Sequence, residues 1–402
     1  MIATDLADGD PRVSVAADSL VDAAWRLGES AARVDFRGPD PYDGLLWRWP
    51  RPFVGGRRRR QAIVQLHARL PVDVRRLYRR EHALIPKALG VYGSVGVRAS
   101  RLAGTPQPPP FAQQALELLA ADRAAGAVAW GYHWDVQTRW SFYAAGSPNV
   151  VATSFAAAGL LEGAAATSRS ELAARARAAA RWVLEELWVE PEGYFAYHTG
   201  RPVNVHNASL LGAWLVHVAL DGDPTAADRV ARAVERALAA QRADGSWGYG
   251  EGADLQWADS FHTGYVLSCL ERMRAVDPRV GEAVARGAAH YRRYFDDRGR
   301  ARLWAHKPFP EDGHSAGTGL TTLALLQRRG LVERDLVERV AARVLRSGLH
   351  DGHVVHRRYR RGRSTVRYLR WCDAHVALGL VDAAAALAGE PDLAAAIPAA
   401  RT

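Results

Sequence analysis

Cysteine is scarce in this sequence, occurring only at positions 269 and 372. Two cysteines in 402 residues leave no disulfide framework, and both lie in apolar, helix-like stretches, so a reducing compartment is expected. Lysine is as rare: Lys87 and Lys307 are the only two, and the net charge of +10 is carried by arginine. An arginine bias that accompanies abundant alanine reads as genomic base composition and loses most of its force as a nucleic-acid signal. The arginine clusters at 57–60, 75–80 and 357–363 are not interleaved with the aromatic pattern of a base-stacking module. They are expected to be solvated faces, or sites for a small anion or an anionic membrane surface, and nucleic acid is not an expected partner. The segment Met1-Ile2-Ala3-Thr4-Asp5 lacks the basic and apolar regions of a signal peptide. No stretch is expected to reach the apolar length that crosses a bilayer, so a cytoplasmic protein is expected. Phosphate-cradling loop, dinucleotide fingerprint and nucleophile elbow are missing as well, and no cofactor is implied. Cys372, Asp373 and His375 lie close together, and His350, His353 and His356 recur every third residue. Neither set has the separated ligand pairs of a structural zinc site, so no metal is expected.

What the chain does contain is a repeat. Glu192-Gly193-Tyr194-Phe195, Asp244-Gly245-Ser246-Trp247, Arg298-Gly299-Arg300-Ala301 and Asp351-Gly352-His353-Val354 stand roughly fifty residues apart, and an apolar helix begins shortly after each. Two helix-length segments per period mean stacked helical hairpins, none of which can bury its apolar face alone. The first helix of each pair is rich in Ala, Gly, Leu and Val on most faces. The second carries a charged stripe, as with Arg229, Arg232, Glu235 and Arg236. A helix apolar all round is buried and a striped one is external. The fold class expected is therefore all-α: an α/α toroid of about six hairpins over residues 111–402, with residues 1–110 as an irregular helical extension packed on it. Inner helices are expected to begin near Asn149, Asn204, Asp259, Gly313 and Trp371, the last with a short partner after Pro391. Their N-termini should gather at one mouth of the ring, where converging helix ends favour an anionic group.

The residues at those helix starts are chemically capable ones. Asn149 and Thr153, Asn204, His206 and Asn207, Asp259 and His262, Asp312 and His314, and Arg370, Asp373 and His375 all fall there. Capping accounts for some of the Asn and Asp positions, but histidine is a poor cap, and three histidines near equivalent positions call for another reason. Asp259 and His262, at i and i+3, share one helix face; the histidine can act as general base or acid and the carboxylate can orient it. His262, Asp259, His206 and His314 are the catalytic candidates. Trp134, Asp135, Gln137, Asn207, Trp257, Tyr265, Arg370 and Asp373 are the binding candidates. The loop Trp130-Gly131-Tyr132-His133-Trp134, with Tyr194, Tyr197, Tyr249, Trp257 and Trp304, would supply aromatic walls suited to sugar rings or to carbocations and isoprenoid chains. Trp247 is expected to plug a hairpin base instead.

Gln241-Arg242-Ala243-Asp244-Gly245-Ser246-Trp247 resembles the glutamine–tryptophan motif of the squalene and terpene cyclase toroids, in which it ties repeats together. The Asp-x-Asp-Asp protonation motif of those enzymes occurs nowhere, so the resemblance implies the fold and argues against class II cyclase chemistry. A wider likeness rests on Asp40-Pro41-Tyr42-Asp43-Gly44, Trp134-Asp135-Val136-Gln137, Val205-His206-Asn207-Ala208 and the run from Gln256 to Tyr265. These resemble a family of bacterial toroid proteins encoded beside glycosyltransferases in polysaccharide assembly clusters; the sequence departs from its pattern at Leu45 to Arg48. The resemblance implies a glycan-related role, with glycosyltransferases of the same pathway as partners. The expected function is a carbohydrate-active enzyme using general acid/base chemistry (epimerisation, elimination or hydrolysis) on an anionic or nucleotide- or lipid-linked saccharide. An enzyme of prenyl substrates and a non-enzymatic glycan-binding or scaffold protein are the alternatives.

Overall fold

The computed structural model describes residues 16–47, 54–74, 82–122, 128–200 and 202–396. The arginine cluster at 75–80 and the segment Met1 to Asp5 lie outside the described residues.

Six helices are buried on nearly every face: α3 (Pro86–Leu102), α5 (Val150–Thr167), α7 (His206–Ala219), α9 (Ser260–Arg272), α11 (Gly313–Arg328) and α13 (Ala374–Leu387). Each packs on the next, and α13 returns to α3, so the six close into a ring. The helices that follow the first five in sequence bury one face only. They are α4 (Pro110–Ala121), α6 (Ser170–Glu186), α8 (Pro224–Ala239), α10 (Val280–Tyr291) and α12 (Arg334–Arg343), and each packs outside its inner partner. This is an α/α toroid, with the apolar helices inside as their composition requires.

Two expectations are corrected by the way the ring closes. The outer partner of α13 is α1 (Ala17–Ala32), which also packs on α3 and α4; the basic α2 (Arg57–Arg69) lies between α1 and α3 in sequence. The segment after Pro391 contributes only the short 3-10 turn Leu393–Ala396. The expected division after residue 110 separates α3 from α4, which pack on each other as one hairpin, so the ring reaches back into the supposed extension. An open stack would leave the apolar face of α13 bare, and α1, amphipathic and buried through Leu20, Ala24, Leu27 and Ala31, covers it. A third correction concerns α5. Its 18 residues have a mean hydropathy of 1.4, long and apolar enough to cross a membrane, where no such stretch was expected. In the fold this helix is packed inside the ring, which explains its all-round apolarity.

Glycine governs two local features. The four repeated glycines, Gly193, Gly245, Gly299 and Gly352, have φ of 75°, 82°, 73° and 74°, the left-handed conformation that a Cβ disfavours, and this is why the repeat is anchored on glycine. Gly90 and Gly159 let α3 and α5 meet backbone to backbone: a Cβ on Gly159 would stand 2.3 Å from the Gly90 carbonyl oxygen. Trp247 does plug its hairpin base. It is 1 % exposed, donates Nε1–H to the Ala237 carbonyl at 2.8 Å, and lies against Gly287. Gln241 ties the same turn to α10 by donating Nε2–H to the carbonyls of Gly245 (3.1 Å) and Ala283 (2.8 Å).

The C-terminal ends of the inner helices carry a buried ion network. Arg98 pairs with Glu162 at 2.7 Å and Asp382 at 2.8 Å, and Thr321 donates to Asp382 at 2.8 Å. Arg272 pairs with Asp392 at 3.0 Å nearby. The N-terminal ends, at the opposite side, are left for chemistry.

Candidate active site

One cavity of about 410 Å³ is lined by residues at or just before the first turns of all six inner helices: Lys87, Val151, Asn207, His262, His314 and the turn bearing Arg370 and Trp371. A single cavity touching all six starts requires the six helices to run the same way, with their N-termini at one mouth. The loops between hairpins raise aromatic walls around it, among them Tyr132, Trp134, Trp140, Tyr197, Tyr249, Trp257 and Trp304. Tyr249 and Trp257 stack at 4.6 Å with planes 11° apart, and the Arg139 guanidinium lies 5.0 Å over the Trp257 ring. Trp134 stacks on Tyr132 and donates its indole N–H to the Tyr42 carbonyl at 3.2 Å. Gln137 lines the wall with its amide consumed, donating to the carbonyls of Thr138 (3.0 Å) and Ser141 (2.9 Å) and accepting from Arg60 Nε at 2.9 Å.

Asp259 and His262 form a dyad. Asp259 caps α9: Oδ1 accepts the backbone N–H of His262 at 3.0 Å. Its Oδ2 accepts Nδ1–H of the same histidine at 2.7 Å and the indole N–H of Trp257 at 3.2 Å. Capping and orientation are served by one carboxylate. With Nδ1 as donor, the neutral ring keeps its lone pair on Nε2, the state of a general base. The imidazole is held between Phe261 (4.2 Å) and Tyr249 (4.6 Å), and it keeps partial exposure to the cavity.

His314 lies in the same cavity under different constraints. Its Nδ1–H donates to the Trp371 carbonyl, its ring stacks on Trp371 at 4.5 Å, and Nε2 faces the Tyr265 hydroxyl at 3.1 Å. That hydroxyl also lies 3.2 Å from Nε2 of His375. Burial, with the Arg370 cation adding to it, pushes both histidines well below the ordinary imidazole range. His314, with Nδ1–H already committed, accepts the Tyr265 proton at Nε2, and Nε2–H of His375 can donate to the same hydroxyl oxygen. Burial also raises the Tyr265 phenol, so it acts as a donor and not as a phenolate.

Other candidates are placed as follows. Asn207 lines the cavity, and its Oδ1 is buried with no hydrogen-bond partner among the described residues. Arg370 is 3 % exposed and clamped on Asp40 at 2.5 Å, with its guanidinium 5.0 Å over the rings of both Tyr132 and Trp371. Three candidates do not line the cavity. His206 is buried beside Glu251, Arg236 and Arg242, and burial pushes its pKa down to about 4. Asp135 caps a loop by accepting the Ala145 N–H at 2.8 Å. Asp373 is sealed under the backbone, accepting from Val354 N–H and Arg367 Nε, both at 2.8 Å.

The reason His206 fails is a matter of register. Relative to the caps Val205, Asp259 and Asp312, the three histidines stand one, three and two residues into their helices. Each residue rotates the side chain by about 100°, so near-equivalence in sequence is not equivalence of face. Asn207 and His314 share the second position and both meet the cavity. Sequence reasoning missed Asp40, Tyr42, Lys87 and Arg357 as cavity residues. One signal was available for Lys87: a lysine retained in a chain that otherwise uses arginine.

No family model matches the sequence, and no curated protein matches it either. Solved structures do share the fold. Cellobiose 2-epimerase from Bacillus thermoamylovorans superposes with a TM-score of 0.59 at 12 % identity, over 74 % of this chain and 87 % of that one. A mutant unsaturated glucuronyl hydrolase from Streptococcus agalactiae gives 0.58 at 9 % identity, over 94 % of this chain and 96 % of its own. An unsaturated glucuronyl hydrolase of a Bacillus species, responsible for the degradation of glycosaminoglycan, gives 0.57 at 12 % identity, over 75 % and 87 %. At such identities the likeness establishes the α/α toroid.

Proposed function

We propose that this protein is a carbohydrate-active enzyme that moves protons at a saccharide held in the mouth of the toroid, with His262 as the base and Asp259 orienting it. The observation that carries this reading is the 2.7 Å Asp259–His262 contact inside a cavity walled by indoles and phenols. Aromatic faces suit the C–H faces of sugar rings, and Asn207 offers an unsatisfied carbonyl oxygen to a hydroxyl. The epimerase and glucuronyl hydrolases of like fold support a saccharide as substrate.

Among the named reactions, epimerisation and elimination fit better than hydrolysis. Hydrolysis by a carboxylate pair needs one acid and one base on either side of the bond. Here the cavity's two aspartates are engaged, Asp40 with Arg370 and Asp259 with His262. Abstraction of a proton from carbon needs a single oriented base, which the dyad supplies. An isoprenoid substrate fits poorly, because Arg139, Arg357 and Arg370 would be desolvated against hydrocarbon. The finer reading is an anionic or nucleotide- or lipid-linked saccharide, handled in the cytoplasm beside glycosyltransferases of one pathway. Incubation with a panel of free, nucleotide-linked and polyprenyl-linked sugars in deuterium oxide tests the proposal. Deuterium at carbon or an unsaturated product, absent with His262→Asn, is the expected result; products of hydrolysis alone, or full activity in the variant, would overturn it.

A further inference from the structure

Lys87 opens the inner helix α3 and reaches the cavity floor between the rings of Phe155 and Tyr265, with Nζ 4.3 Å and 5.3 Å from their centroids. The residue is 2 % exposed and lines the cavity. Among the described residues its amine makes no hydrogen bond or ion pair, and the contacts it does make are with the faces of the two rings. The carboxylate that could have served it, Asp40, is held by Arg370 at 2.5 Å. The other ionisable groups turned toward this corner come from three further inner helices: His314 on α11, His375 on α13 and Tyr265 on α9. None of them brings a negative charge. A lysine so placed, with three donors and no acceptor, lacks the partner that buried cations otherwise have.

We propose that Lys87 is the receptor for an anionic group, a carboxylate or a phosphate, carried by the saccharide. This rests on the reading of the cavity as a saccharide site and adds the residue that selects charged sugars. Arg370 cannot do the same work alone, since its guanidinium is already matched by Asp40.

The proposal has a consequence that simple charge attraction at the surface would not have. Burial, with the Arg370 cation adding to it, holds the Lys87 amine well below its ordinary range, and Asp40 offsets this only in part. An anion arriving at Nζ favours the ammonium form and raises the amine again. Wherever the amine is neutral before the anion arrives, binding takes up a proton, and linkage makes anion affinity fall as pH rises there. A neutral sugar in the same cavity would bind without taking up a proton.

Titration calorimetry on the full chain tests this with D-glucuronate, D-galacturonate and glucose 1-phosphate against glucose. Each is measured in two buffers of different ionisation enthalpy, at neutral and at alkaline pH. The expected result is proton uptake on binding a charged sugar at one or both pH values and none on binding glucose. Whether the uronates or the glycosyl phosphate bind tighter identifies the anion. Lys87→Met should lose about 30-fold or more in affinity for the charged sugar and abolish the uptake, with glucose binding kept. Anion binding without proton uptake at both pH values in the unmodified protein overturns the proposal whether or not the variant folds. Failure of all three anions to bind better than glucose overturns it too. His262→Asn should keep both the anion binding and the proton uptake. A protein that shows the uptake but no deuterium exchange would therefore sink the catalytic reading and leave the Lys87 site standing.

Discussion

Asp259 accepts two hydrogen bonds from the same residue, the backbone N–H of His262 at 3.0 Å and its Nδ1–H at 2.7 Å. The first bond starts α9, and the second fixes the tautomer and the pose of the imidazole. The carboxylate therefore sits where a stability function and a chemical function can be separated by choice of substitution.

Asp259→Asn keeps a competent cap, because asparagine caps as well as aspartate, but it removes the charge that stabilises an imidazolium. The expected outcome is a melting temperature near that of the parent with turnover reduced on the order of a hundredfold or more. Asp259→Ala should lose both, with about 1–2 kcal/mol of stability gone along with the cap. Equal stability loss in the two variants by urea titration would remove the capping role.

His206 makes the acid side of the stability curve measurable. Its folded pKa is pushed down to about 4 by burial, below the ordinary 6.5. Between about pH 6.5 and 4 the unfolded chain binds the proton and the native one does not. Stability is thus full above 6.5, falls as pH falls through that window, and levels out below it. A shift of this size corresponds to about 3 kcal/mol. His206→Gln should flatten the pH dependence of unfolding free energy by roughly that amount over the same window. Because His206 lies outside the cavity, the variant should keep turnover at pH 7, in contrast to His262→Asn.

The ring was legible in the sequence because burial on all sides leaves its mark locally, in the apolar composition of α5, α7, α9, α11 and α13. What closes the ring was not legible. The contact of α1 with α13 joins the two ends of the chain, and an amphipathic helix read in isolation does not say which face it covers. The same division runs through the site. Asp259 and His262 could be read because they are three residues apart on one helix. Lys87 could not, since Phe155, Tyr265, Arg370 and Asp40 reach it from four separate elements. His206 misled because a periodicity of roughly fifty residues fixes which helix a residue begins but not which way it faces, and one residue of offset turns it by about 100°.

Trp247 tests the repeat itself. Its indole is fully packed, bonded to Ala237 and set against Gly287, remote from the residues of the dyad in function though close in sequence. Trp247→Ala should cost about 3–5 kcal/mol through the cavity left behind. Below its melting temperature the variant should bind saccharide as the parent does. A variant that melts like the parent but no longer binds would move Trp247 from the hairpin base to the site.

The far end of the ring offers the complementary case, a cluster of charged groups with no call on chemistry. Arg98 is 4 % exposed and is shared by Glu162 and Asp382, which come from two other inner helices. Arg98→Met fills much of the same volume but leaves two carboxylates buried without their cation, a change that costs about 3–5 kcal/mol where one partner of a buried pair is removed. The loss should shrink as pH is lowered, because stranded carboxylates regain neutrality by protonation and their pKa values rise when the guanidinium is gone. Adding Glu162→Gln and Asp382→Asn to Arg98→Met should recover most of the stability at neutral pH, since the uncompensated charge and not the missing arginine is the source of the penalty. Urea titrations of the single and triple variants at neutral and acid pH check this. A single variant whose deficit is independent of pH, or a triple variant no more stable than the single, would mean that the arginine holds the three helices by packing alone.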